Sequence, residues 1–402
     1  YKTVKLENVT LAEGEIKEVE IMMKMDNGSD STSGESKHVV IGGQRKDDGH
    51  LALDAIRTKS ARTFDAVGSK QIKAAGDTDI GAAAGRIPGV SVQGGKYVFV
   101  RGLGDRYTKT ILNGLEIPGL DPDRNAIQLD VFSTNIVKNI MVFKSFTPDM
   151  PGDFTGGLVD ISTIDFPDKR NFTVTTGFGY NPNMHFNSNF VTYNGGKTDW
   201  LGFDDRTRLL KLSKYTIIPD ESVAGPELTT ITQTFSSTMA AQSATSLMNS
   251  NISMSGGSSK GIKLLGHEGT GGFAASLTYR NNYVFYENAQ FGRYTKDPNL
   301  EETSLFLQED RTGKLGQRNV LWTALGTVGA KFNHSKLGLT FLHSQNGLSQ
   351  TADRTRYNYD QTGATLIEDI LTYTQRSVSS ASVQAEFNLK WIQIKASNAF
   401  TY

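Results

Sequence analysis

Tyr97–Arg124, YVFVRGLGDRYTKTILNGLEIPGLDPDR, decides how the rest of the chain is read. Tyr97–Val100 alternates as a strand. Arg101–Arg106 then interrupts the alternation with two glycines and three charges. A second short strand over Thr108–Leu112 runs into Asn113–Gly114, a two-residue turn signal. A loop dense in Pro, Gly and Asp follows. Two short strands with charge between them, closed by tight turns, describe a rigid element that presents polar groups.

The surrounding composition limits what that element belongs to. The 402 residues carry 42 basic and 42 acidic side chains, so the formal net charge is zero. Such a balance lacks the basic footprint of a nucleic-acid binder, and no nucleic-acid partner is expected. There is no Cys, which excludes disulfides and thiolate metal sites. With 41 Gly and 37% hydrophobic residues, turns joining β-strands are favoured. No run of about 18 apolar residues occurs, so no transmembrane helix is encoded.

Upstream, Thr3–Leu11 and Ile16–Met25 alternate as strands and read as the close of a β-domain begun earlier, over residues 1–26. Residues 27–50 form a Gly/Ser-rich linker. Within it, Lys37, His38, Val39, Val40, Ile41, Gly42 and Gly43 make a brief extended apolar tag. Such a tag either docks on its own domain or adds to a partner's strand. From 51 to 166 short helices (Ala52–Ser60, Ser69–Ala75, Thr78–Ala84) alternate with short strands (Ser91–Gln93, Leu158–Thr163), and Ile136–Phe143 joins a short helix to a strand. This describes a compact α+β domain.

From 167 to 402 the pattern becomes long dyad alternation. Phe172, Val174, Thr176, Phe178 and Tyr180 share one face. Phe273, Ala275, Leu277, Tyr279, Tyr283 and Phe285 face away from Ser276, Thr278, Arg280 and Asn282. Over Ser379–Trp391 Ala381, Val383, Ala385 and Phe387 oppose Ser382, Gln384 and Glu386, and the parity resets at Lys390–Ile392, which calls for a tight hairpin. Apolar-out, polar-in strands with aromatic ends, joined alternately by short turns and long excursions such as Asn181–Ala244, are the pattern of a transmembrane β-barrel. At ~10 residues per strand before loops, about eight to ten strands are expected here.

Motifs of catalysis are not found. Gly102–Leu103–Gly104 has Tyr107 at the third glycine of a dinucleotide fingerprint and leads into a strand. Asp121, Asp123 and Asn125 open like a calcium loop, but Ala126 and Phe132 replace the Gly and Glu it needs. His38, His50, His185, His267, His334 and His343 are scattered. The chain is not expected to be an enzyme, and neither a cofactor nor a metal is called for. The charges Arg101, Asp105, Arg106 and Lys109 are read as a latch toward barrel-wall residues such as Arg280, Glu386 or Lys390, and Asp121, Asp123 and Arg124 as a loop facing ligand at one mouth.

The order of short motifs resembles the plug of TonB-dependent outer-membrane receptors. RIPGV at Arg86–Val90 (with Pro88 and Gly89), VRG ending at Gly102, LNG at Leu112–Gly114 (with Asn113 and Gly114), I-x-x-x-I-x-V-x-K at Ile136–Lys144, and GGLVDIST from Gly156 and Gly157 to Thr163 follow one another. Asp160 stands where that family usually has Asn. KHVVIGG at 37–43 looks like a TonB box, and residues 1–26 resemble the carboxypeptidase-regulatory-like domain of Bacteroidetes receptors.

The resemblance implies a mostly β protein: an α+β plug followed by part of a 22-stranded outer-membrane β-barrel, with its N-terminal part periplasmic. It implies import of a scarce small nutrient or oligomer, with TonB, ExbB and ExbD as partners, outer-membrane lipids around the barrel, and a surface lipoprotein or other envelope subunits as further candidates. The alternatives are a receptor-shaped scaffold or signalling subunit, and a soluble all-β binding module.

Overall fold

The computed structural model describes residues 53–402, apart from 54–56, 59, 61, 76–79, 105, 122, 123, 125, 126, 149, 220–224, 237, 265, 297–303, 360–362, 364 and 390. The N-terminal strands, the linker, the tag at 37–43, Asp105 and Asp123 lie outside the described residues.

The plug begins with β1 (Phe64–Gly68), α1 (Ser69–Ala75) and α2 (Ile80–Gly85). Next come β2 (Val90–Gln93), β3 (Tyr97–Val100), β4 (Thr108–Leu112) and β5 (Leu115–Glu116), then β6 (Val137–Phe143) and β7 (Gly157–Thr163). A five-stranded sheet has the order β1-β6-β7-β4-β5, with β4 parallel to β7 and the other pairs antiparallel, while β2 and β3 form a separate hairpin. Ile80, Ala83, Ala84, Val98, Val100, Leu129, Ile140, Val159 and Ile161 share one buried core between the helices and the sheet. A single turn of 3-10 helix, Thr134–Ile136, leads directly into β6, as the mixed pattern of Ile136–Phe143 anticipates.

Seven further strands form one antiparallel sheet. They are β8 (Asn171–Gly179), β11 (Asn249–Leu264), β12 (His267–Lys296), β13 (Leu305–Phe332), β14 (Ser335–Asn358), β15 (Thr365–Asn388) and β16 (Gln393–Thr401). Between β8 and β11 lie β9 (Phe190–Thr192), the helix α3 (Pro226–Gln233) and β10 (Gln242–Ala244). Each strand pairs with its sequence neighbour, in the up-and-down order of a barrel wall, and the sheet is open.

The expected eight to ten strands give way to seven, for two reasons. The four from β12 to β15 are 24 to 30 residues long, well beyond ~10. The excursion between β8 and β11 also consumes residues that strands would have used. The tight hairpin before β16 forms, with Leu389 and Ile392 exchanging backbone hydrogen bonds of 2.8 and 3.3 Å.

Register separates the two faces of the sheet. Val174 lies opposite Met254, Met254 opposite Leu277, Val328 opposite Leu339, and Leu339 opposite Val383. These side chains are exposed, as are Phe172, Phe273, Leu337, Phe341, Phe387, Ile394 and Phe400, and together they make an apolar band on the outer face. On β12 the band takes in Phe273, Ala275 and Leu277, which alternate with the buried Ala274, Ser276 and Thr278. The opposite face carries Ser253, Ser255, Ser276, Thr278, Thr323, Thr327, Ser344 and Ser380, all buried, and the plug packs against it. The chain is mostly β, an α+β domain followed by an open, up-and-down antiparallel sheet.

Candidate functional site

The plug motifs become turns with a shared geometry. Arg101 and Gly102 have φ of 54° and 77°, and Val100 and Leu103 close the turn through hydrogen bonds of 3.0 and 3.1 Å. Asn113 and Gly114 have φ of 52° and 78° and join β4 to β5. Two consecutive left-handed residues give the turn whose twist suits a hairpin, and Gly takes its second position without strain.

The motifs also meet one another. Arg101 donates its backbone N–H to Gly89 O at 2.8 Å and its guanidinium to Lys144 O at 3.2 Å. The Lys144 ammonium in turn binds Pro88 O at 2.5 Å and the Asp65 carboxylate. One end of the plug is therefore tied by RIPGV, VRG and the terminal Lys of the I-x-x-x-I-x-V-x-K run. Gly156 donates to Tyr107 O at 2.8 Å, and a Cβ on Gly157 would lie 2.8 Å from Val100, so only glycine lets β7 lie this close to β3.

The expected latch is differently placed. Lys109 pairs with Glu116 and Asp153, each at 2.5 Å and both within the plug. Arg101 secures the plug internally, and Arg106 is solvent-exposed. None of these three is bonded to Arg280 or Glu386, because the β4 strand carrying Lys109 turns that side chain toward β5 and the loop before β7. Proximity of charge along the sequence does not reveal which neighbour completes the pair.

The wall is held by other residues. Asp121, expected to face ligand, pairs with Arg376 of β15 at 3.2 Å. It also accepts from Tyr97 Oη at 3.2 Å, and Arg124 lies over the Tyr97 ring at 4.0 Å. Gln128 donates to the same phenol at 2.9 Å. Burial, followed by the negative Asp121, pushes the Tyr97 phenol up to about 12, so it stays a donor throughout the physiological range.

Lower on the wall, Lys336 pairs with Asp165 at 2.8 Å, and Thr327 Oγ1 donates to Ile164 O or Asp165 O at 3.1 and 2.9 Å. Ser133 Oγ lies 3.0 Å from Ser253 Oγ, and Gln384 donates to Asn113 O. The wall contact is not wholly polar: Leu321, Leu325, Leu342 and Val378 join the plug's own core.

Asn113 and Asp160 share the corner that meets Gln384. The Asn113 side chain accepts from Thr163 N at 2.8 Å and donates to Thr163 Oγ1 at 3.0 Å, joining the LNG turn to the end of β7. Asp160 accepts from Gly114 N at 3.2 Å. Burial pushes its carboxyl up to about 6, opposed by that one backbone donor.

Beyond the plug, the same face of the wall carries a second group of charges. Arg356 pairs with Glu309 at 2.8 Å and Glu368 at 3.1 Å, Arg354 pairs with Glu368 at 3.0 Å, and Arg311 pairs with Glu309. Three guanidinium groups against two carboxylates leave this lattice with one excess positive charge. Sequence reasoning misses it, since each residue is a single charge on an alternating strand and only the pairing of β13, β14 and β15 assembles them.

No curated protein matches the chain. Among solved structures, the siderophore receptor PirA from Pseudomonas aeruginosa is 11% identical, with 85% of this chain and 58% of that chain covered at a TM-score of 0.27. The alcaligin outer-membrane receptor FauA from Bordetella pertussis is 12% identical, with 85% and 55% covered and a TM-score of 0.29. The ferripyoverdine receptor of Pseudomonas aeruginosa is 8% identical, with 85% and 43% covered and a TM-score of 0.34. The chain spans about half the length of these structures. Residues 56–158 match the family described as TonB-dependent Receptor Plug Domain.

Proposed function

We propose that the chain is the plug-bearing part of an outer-membrane receptor that imports a scarce nutrient through a barrel closed by residues 51–166, with TonB supplying the energy. The carrying observation is the placement of a TonB-dependent receptor plug on the polar, small-residue face of a wall whose opposite face is apolar and exposed. A nutrient would meet the charged lattice of Glu309, Arg311, Arg354, Arg356 and Glu368 before it reached the plug. TonB, working with ExbB and ExbD from the periplasmic side, would add a strand to the tag at 37–43 and pull through the Gly/Ser linker. The upstream carboxypeptidase-regulatory-like segment, a Bacteroidetes type and a surface lipoprotein partner belong to the same reading.

The experiment is deletion of 37–43 in the full-length receptor. Uptake of the nutrient is lost while the protein still reaches the membrane in normal amount. Uptake that survives the deletion refutes TonB energisation.

One observation favours a second reading, a scaffold or signalling subunit with a fixed stopper. Leu321, Leu325, Leu342 and Val378 weld the plug core to the wall by apolar packing that a displaced plug would have to expose. A stoichiometric set of unrelated envelope proteins recovered with it from native membranes supports the scaffold, and a TonB complex supports the importer.

A further inference from the structure

The outer face of the wall changes character along one line. Below that line lies the apolar band, and along it the excursion between β8 and β11 turns back onto the sheet. Tyr279 Oη of β12 donates to Trp200 O at 2.7 Å, and Trp322 Nε1 of β13 to Leu201 O at 2.9 Å. Gln345 Nε2 of β14 donates to Gly202 O at 2.6 Å, and Gln375 Oε1 of β15 accepts from Asp204 N at 2.7 Å.

Tyr279 is the register partner of Trp322, Trp322 of Gln345, and Gln375 of Gly347, two residues from Gln345. Residues 200–204 are therefore a strap lying across four strands at nearly one height. Gly202 has φ of +75°, and a Cβ there would meet the Gly347 backbone N at 3.0 Å. Arg208 closes the strap by pairing with Asp199 and with Asp204 (3.0 Å) and by covering the Tyr373 ring at 4.1 Å.

The segment after the strap leaves its apolar side chains uncovered. Residues 206–219, RTRLLKLSKYTIIP, contain Arg206, Arg208, Lys211 and Lys214 and lie between the acidic pairs Asp204–Asp205 and Asp220–Glu221. Leu209, Leu210, Tyr215, Ile217 and Ile218 are all exposed, Ile217 by 88%. Trp200, half exposed on the strap itself, sits at the rim of the band, where interfacial aromatics belong.

We propose that residues 206–218 form a second membrane contact, lying in the bilayer interface just outside the barrel wall. Leu209, Leu210, Tyr215, Ile217 and Ile218 enter the headgroup–acyl boundary, while Arg206, Lys211 and Lys214 bind anionic headgroups. The occupant is a lipid surface because the segment is held at the upper edge of a lipid-facing band. Within the segment Arg206, Lys211 and Lys214 stand between the exposed apolar side chains, the interleaving of cations and Leu, Ile and Tyr that suits an anionic bilayer surface. The inference rests on the membrane reading of the wall.

These 402 residues contain no Cys, so an introduced thiol is unique among them. The full-length receptor, with any Cys outside these residues replaced by Ser, is reconstituted in nanodiscs containing anionic lipid, with a fluorescent label at Ile217→Cys, at Leu339→Cys in the band, or at Glu227→Cys on α3. The label at 217 is expected to be quenched by nitroxide-bearing lipid and shielded from iodide, as at 339, while 227 stays aqueous. Lys211→Gln with Lys214→Gln is expected to lower the ratio of inserted to solvent-exposed label at 217 by about thirtyfold, from ~1 kcal/mol per cation. If 217 behaves like 227 while 339 is quenched by lipid, the second contact is refuted and the wall assignment stands. If 339 is also aqueous, both fall.

Discussion

Replacing Asp160 with Asn tests the electrostatics of the plug corner. The carboxyl is pushed up to about 6 from 3.8 by burial, with only Gly114 N–H favouring its charged form. A folded-state value above the unfolded one means that the native plug binds the proton more tightly. The contribution of Asp160 to stability is therefore fully present below pH ~4, is lost as pH rises from ~4 to ~6, and levels off above. The gap of about two units corresponds to roughly 3 kcal/mol as a ceiling, and partial exposure to water reduces it to about 1–2 kcal/mol. Asn keeps an oxygen for Gly114 N–H and removes the buried charge.

The assay is native-state hydrogen exchange at Ile140, Val142, Val159 and Ile161 of the central plug strands. Asp160→Asn is expected to slow their exchange by about five- to thirtyfold at pH 7.5, and by less than about threefold at pH 4. An equal or faster exchange at pH 7.5, or the same gain at both pH values, refutes the reasoning.

Two other substitutions probe contacts within the plug. Gly157→Ala places a methyl 2.8 Å from the buried Val100 and is expected to destabilise the plug by about 1–3 kcal/mol, read as faster exchange of β3 and β7 amides. Lys109→Ala breaks two ion pairs whose carboxylates, Glu116 and Asp153, are 56% and 66% exposed. It is expected to cost less than about 1 kcal/mol by the same measure, and a larger loss would refute the reading of these pairs as solvent-screened.

Much of the fold was legible because its signals are local. Asn113–Gly114 carries the chemistry of its turn in two adjacent residues, and the alternation of Ala381, Val383, Ala385 and Phe387 declares a face without reference to any partner. The plug motifs could likewise be placed in order along the chain. Strand length was less legible, since alternation weakens above the apolar band, where the outer face carries Thr312, Lys314, Asp353 and Thr355 in place of Leu and Phe.

The sequence by itself determined two classes of structure: a turn-rich α+β domain with its motif order, and a series of two-faced strands with hairpins between them. Only the tertiary structure decided which charges are partnered. Asp121 meets Arg376 although 255 positions separate them, while Lys109 finds Glu116 and Asp153 on its own domain. Side-chain type encodes the capacity to pair, but partner choice depends on register, and register is set by all the strands together. The strap has the same origin. Nothing in WLGFD announces a belt, because the groups that hold it come from four strands, as far along the chain as the 171 positions between Asp204 and Gln375.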